Sequence, residues 1–196
     1  MKCLNIEKGV RNSICFNLDE ELIFSDNSSE NDRYNSIINH YKTQRNSENN
    51  LLDGISTLED IIKVATAQVI GAKKKSHQFR ISDRCLAEFC ENILSNIDIV
   101  KSVDSFETLY EVIKNCKIKG IGELCIYDTA QRIGLYLGKY PNFIYLHRGT
   151  LQGTEKILGK IKGDRISKNI LPDAFQRADL SCAEIEDILC IYKAKF

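Results

Sequence analysis

The sequence predicts an all-α fold, a compact array of about six or seven helices with a small β-prone N-terminal appendage. Three observations predict it. From Ser56 onward, apolar residues recur at helical spacing in one segment after another. Cap-forming residues stand before these segments, as in Ser56-Thr57-Leu58-Glu59 and Ser181-Cys182-Ala183-Glu184. Strand-prone pieces are confined to the beginning of the chain, at Ser13–Leu18 and Leu22–Phe24.

The elements follow in order. Residues 1–54 read as an N-terminal extension, partly flexible. Its polar stretches, Asn27 to Asp32 and Asn46 to Asn50, cannot pack a core. Between them Tyr34, Ile37, Ile38 and Tyr41 suit one short, loosely docked helix. Residues 55–196 read as the helical domain. Its first helix carries Leu58, Ile61, Ile62, Ala65 and Val69 behind the Ser56–Glu59 box. A second, capped by Ser82 or Asp83, carries Leu86, Phe89, Cys90, Ile93 and Leu94. A third starts near Asp104 or Ser105, carries Phe106, Leu109, Tyr110 and Ile113, and ends near Cys116. A fourth runs from Glu123 to Leu137, burying Leu124, Ile126, Ala130, Ile133 and Leu137. Gly138 can end it and Pro141 prevents its continuation. A fifth spans Thr150 to Ile161, with Thr150 capping it and Gly153 allowing close backbone approach. The last follows the Ser181 box with Ile185, Ile188, Leu189 and Tyr192.

Composition narrows the class. At 43% hydrophobic residues the 196-residue chain can bury a core. No apolar run reaches membrane-spanning length, and residues 1–8 lack the apolar region of a secretory signal. The eight cysteines, Cys3, Cys15, Cys85, Cys90, Cys116, Cys125, Cys182 and Cys190, form no C-x-x-C pair. Most lie on apolar stripes, so buried free thiols in a reducing, cytoplasmic setting are expected. No membrane partner is expected.

Net charge is zero, with 27 basic and 27 acidic residues. Its distribution is uneven. Residues 1–62 hold 6 Lys/Arg against 11 Asp/Glu, and residues 114–168 hold 11 against 4. That basic excess coincides with Ile118-Lys119-Gly120-Ile121-Gly122, which lies between the third and fourth helices. Gly120 and Gly122 permit a tight turn and leave no side chain to hold a ligand away. Ile121 between them can pin the turn to the core. The first amides of the following helix lack intrahelical partners and lie at the positive end of its dipole. Such an end suits a phosphate. Lys119, Gly120, Ile121, Gly122 and Glu123 are therefore candidate DNA-binding residues, joined by Arg132 and Arg148 from the segment that follows and by Lys75 and Arg80 from a second basic patch. His77 lies in the same Lys73–Arg80 run as Lys75 and Arg80, around Phe79. No role is assigned to His40.

With these residues, the region from Ser105 to Ile161, with a helix-hairpin-helix at about 105–138, resembles the helix-hairpin-helix superfamily of DNA-binding domains, and the DNA glycosylase branch gives the nearest analogy. The likeness rests on Ile118–Gly122, the helix after it and the segment Gly138–Gly149. It implies sequence-nonspecific grip on the DNA backbone, in repair or processing. It also implies a monovalent cation, K+ or Na+, on the carbonyls of Cys116, Ile118 and Ile121; no other cofactor is expected. In that branch a loop after the second helix delivers a catalytic Asp. Here the position falls on or near His147, which cannot supply negative charge. The Schiff-base Lys of bifunctional members has Leu124 in its place.

Asp128 stands four residues before Arg132, the spacing of a helix-surface ion pair. Two alternatives stay open for it. One is a buried structural network. The other is a polar cleft shared with Arg132, His147 and Arg148, in which Asp128 acts as base or His-orienting group and His147 as acid/base. Tyr127 and Tyr145 suit either base stacking or the core. Gly149-Thr150-Leu151-Gln152-Gly153 lacks the Lys-Ser/Thr of a P-loop. The leading expectation is thus a DNA-binding protein. One alternative is an atypical DNA N-glycosylase or lyase using Asp128 and His147; another is a helical module for a protein partner.

Overall fold

A computed structural model describes residues 29–44, 54–67 and 78–196. Among them it shows eight α-helices and one two-stranded ladder, an all-α architecture. The expected N-terminal strands, Val69, Lys73, Lys74, Lys75 and His77 lie outside the described residues. No described helix is long and apolar enough to cross a membrane. The chain divides into two compact units, one holding described residues 54–67 and 78–139, the other 29–44 and 140–196. The expected scheme instead set residues 1–54 against 55–196.

The first unit contains α2 (Leu58–Ala65), α3 (Asp83–Leu94), α4 (Ile97–Ser102), α5 (Phe106–Asn115) and α6 (Glu123–Leu137). α6 packs on both α2 and α5. Ile126, Ala130 and Ile133 of α6 are fully buried, as are Ile61 and Ile62 of α2 and Leu109 and Ile113 of α5. Phe106 meets Tyr127 edge-on at 6.0 Å. Ser82 caps α3 and Ser105 caps α5. The cap of α2 is Thr57, one residue later than the expected box. Its hydroxyl accepts from the Asp60 amide and donates to the Asp60 carboxylate at 2.7 Å. The Ser56 carbonyl instead accepts from the Tyr136 hydroxyl. The short α4 follows a two-residue turn after α3, and its N-cap Asn96 makes no side-chain cap hydrogen bond.

The second unit contains α1 (Glu30–Gln44), β1 (Ile144–Tyr145), α7 (Arg148–Leu158), β2 (Arg165–Ile166) and α8 (Cys182–Ile191). The strands are antiparallel, with Ile144 opposite Ile166. α1 covers the whole short helix expected around Tyr34–Tyr41 and is firmly packed. Ile37, Ile38 and Tyr41 are buried, Tyr34 packs tilted against Phe175 and edge-on to Phe196, and the Tyr41 hydroxyl donates to Asp187 at 2.8 Å. The Ser181–Glu184 capping box of α8 is present.

In this unit α7 and α8 pack extensively and close together. A Cβ at Gly153 would collide with the Leu189 carbonyl oxygen, and one at Gly149 with the Cys190 sulfur. The two glycines, one turn apart, let the helices approach backbone to backbone. Thr150 between them is not a cap. α7 starts two residues earlier than expected, with His147 at its N-cap. The buried Thr150 hydroxyl donates to Glu186 at 2.5 Å.

Candidate nucleic-acid interface

α5 ends at Asn115, α6 begins at Glu123, and residues 116–122 connect them. The Ile121 amide donates to the Ile118 carbonyl at 3.2 Å, which closes the turn. Gly120 has φ +104°, a conformation that L side chains rarely adopt. Ile121 is 2% exposed and anchors the turn in the core. Gly122 is the N-cap of α6, with φ −94° and ψ 166°, ordinary extended backbone that any residue can take. A Cβ there would meet open space. Its carbonyl accepts from the amides of Cys125 and Ile126, so those of Glu123 and Leu124 precede the first intrahelical bonds.

Charge around this turn has a definite pattern. Lys119 is exposed, and among the described residues its ammonium forms no ion pair. The Glu123 carboxylate accepts from Lys117 at 2.7 Å and from the Tyr110 hydroxyl at 3.2 Å. The Lys117 ammonium holds the Glu123 carboxyl below the usual carboxylate range. The Cys85 thiol lies 3.8 Å from the Lys119 carbonyl, so the first turn of α3 abuts the connection. That turn carries Arg84, exposed and likewise without an ion pair among the described residues. Sequence reasoning missed Arg84. The signal was a basic residue two positions after the Ser82 cap, but only the fold brings α3 to the connection.

The other predicted residues are placed elsewhere. Arg80 is exposed in the 3-10 turn Gln78–Arg80 before α3. Arg132 turns its guanidinium to the end of α2, donating to the Val64 and Ala65 carbonyls at 3.3 and 3.5 Å. It caps a helix C-terminus, which favours a cation there. The buried Gln78 amide donates to the same Ala65 carbonyl at 3.1 Å. Lys75 lies outside the described residues. Arg148 is exposed at the start of α7, in the second unit.

Asp128 is 7% exposed on α6, which makes it a buried group rather than a surface one. Burial first, and then the negative charge of Asp128, push the Cys125 thiol up to about 11. His147 belongs to the second unit, half-buried at the N-cap of α7, and its side chain caps nothing there. Tyr127 and Tyr145 are both core residues, each 1% exposed. Leu124, expected inside, is partly exposed on the first turn of α6.

Of the carbonyls suggested for a monovalent cation, that of Cys116 accepts from the Asn92 amide at 3.2 Å and that of Ile118 from Ile121. A carbonyl oxygen has two lone pairs, so each retains one for a cation. Among the described residues no three His, Cys, Asp or Glu side chains group as metal ligands. The six described cysteines are free thiols, with Cys90, Cys116 and Cys125 buried and Cys85, Cys182 and Cys190 half-buried. Comparison with known protein families, with curated proteins and with solved structures returned no significant match.

Proposed function

We propose that the α5–α6 connection binds the phosphate backbone of DNA without reading sequence, in the manner of a helix-hairpin-helix. The observation that carries this reading is Gly122. Its backbone angles demand no glycine, and a Cβ would touch nothing in the fold. A Ser or Asp at this N-cap would add a few tenths of a kcal/mol to the helix. The chain forgoes that gain and keeps the N-terminus of α6 bare, as close approach by a phosphate requires. Lys119 in the connection and Arg84 on the α3 turn that abuts it carry positive charge that forms no ion pair among the described residues, and Lys117 offsets the one acidic side chain of the α6 first turn. A K+ or Na+ held by the carbonyls of Cys116, Ile118 and Ile121 would add charge attractive to the same phosphate.

The test is duplex binding by fluorescence anisotropy across a salt series. Log affinity should fall linearly with log salt, and Lys119→Glu should weaken binding to unrelated sequences alike. Each lost phosphate contact should lower the slope by about 0.9. Salt-independent binding, or none at low salt, overturns the reading.

A further inference from the structure

The second unit carries exposed basic and aromatic residues, around the β1–β2 ladder, that the proposal above does not use. Residues 140–168 hold 6 Lys/Arg against 2 Asp/Glu. The structure sorts these cations. Lys156 donates to the Phe196 carbonyl and Lys168 to those of Arg177 and Leu180. Both are occupied within the fold. Lys160 and Lys162, in the 159–164 loop that leads into β2, are exposed and form no ion pair among the described residues. Arg165, the first residue of β2, is exposed and sets its guanidinium 5.2 Å from the centre of the Phe143 ring. Three residues before Phe143 stands Tyr140, which is 61% exposed. The acidic groups of this stretch are Asp164, exposed in the loop, and Glu155, half-buried on α7.

An exposed ring, a second ring under a guanidinium and two ammonium groups without an ion pair among the described residues lie close along the chain and across the β1–β2 ladder. A solvent-exposed tyrosine contributes nothing to the core. It offers a flat π-face to any planar partner, and arginine stacked on an aromatic ring extends such a platform. Duplex DNA keeps its bases stacked inside and cannot use it. Unpaired bases can, while the lysines follow their phosphates. From this we infer that the face made by Tyr140, Phe143, Arg165, Lys160 and Lys162 binds single-stranded nucleic acid, by stacking bases and neutralising backbone charge. It stands on different residues, in a different unit, from the duplex-binding proposal.

The experiment uses the full chain and a fluorescein-labelled oligo-dT of roughly 12 nucleotides, within the span one such platform covers. Wild type should bind at low salt and release as salt rises. Tyr140→Ala should weaken binding about tenfold, whereas Tyr140→Phe, which keeps the π-face, should bind like wild type. Lys160→Glu with Lys162→Glu should weaken binding and flatten the salt dependence by roughly 1.4 in slope. Lys119→Glu, which should impair duplex binding, should leave oligo-dT affinity unchanged, so the two proposals fail separately. The inference is overturned if wild type does not bind oligo-dT or if Tyr140→Ala binds like wild type. Equal competition by polyglutamate, or loss of oligo-dT binding on Lys119→Glu, overturns it too. Circular dichroism of each variant should match wild type, since the substituted side chains lie outside the core.

Discussion

Two glycine-bearing stretches, one in each unit, look alike as text and differ in physics. Gly120-Ile121-Gly122 lies between helices, and Gly149-Thr150-Leu151-Gln152-Gly153 lies within one. In the second, both glycines are filled space. The carbonyl of Leu189 and the sulfur of Cys190 occupy the positions where Cβ atoms would be. In the first, Gly120 is required by its backbone angle, and Gly122 is required by nothing within the chain. A glycine that packing demands reports on stability. A glycine that neither packing nor dihedral angle demands points outward, to whatever approaches it.

The contrast can be broken most severely at Gly153. Gly153→Ala sets a methyl against backbone that cannot swing away, so α7 and α8 must separate. The expected loss is about 3 kcal/mol, read by urea denaturation. Gly149→Ala should cost less, about 1–2 kcal/mol, because it meets a side chain. Here the comparison can be sharpened: Cys190→Ala should rescue much of the Gly149→Ala loss in a double-mutant cycle and little of the Gly153→Ala loss.

Gly120→Ala should destabilise by about 1 kcal/mol, the cost of placing an L side chain at positive φ. A smaller effect belongs to the ion pair beside it. Lys117 holds the Glu123 carboxyl below its ordinary range, so the folded state binds this proton more weakly than the unfolded chain. The pair therefore contributes at pH above the unfolded carboxylate value and is lost as pH falls through the depressed one. Because Glu123 is half exposed, the gain in stability is slight. An NMR titration should find the Glu123 midpoint below the ordinary value near about 4.3, and Lys117→Ala should return it toward that value.

Long periodic segments were legible in the sequence because burial follows the helical repeat. α6 has the expected bounds, Glu123–Leu137, and Ser82, Ser105 and the Ser181–Glu184 box cap the helices they precede. Features set by partners far along the chain were not legible. The sequence predicts a loosely docked α1, yet Ile37, Ile38 and Tyr41 hold it firmly because α8 and the Phe175–Phe196 rings supply the other half of its core. The two-residue strands are too short to show a period. Asp128 and Arg132 have the spacing of a surface pair, but Asp128 is buried, and Arg132 also reaches the carbonyls at the end of α2. Among the candidate site residues, Lys119 to Glu123 lie together because they are contiguous. Arg84 joins them only through the packing of α3. His147 and Asp128, whose proposed chemistry needs a shared cleft, belong to different units.

The most direct test of the central claim is duplex binding by Gly122→Ala, measured beside its thermal unfolding. The account predicts a stability loss of no more than about 1 kcal/mol, as for Ala in place of Gly at an N-cap, together with a clear loss of DNA affinity in the folded variant. Wild-type affinity in the folded variant would contradict it, and would leave the turn between α5 and α6 as a helix connection alone.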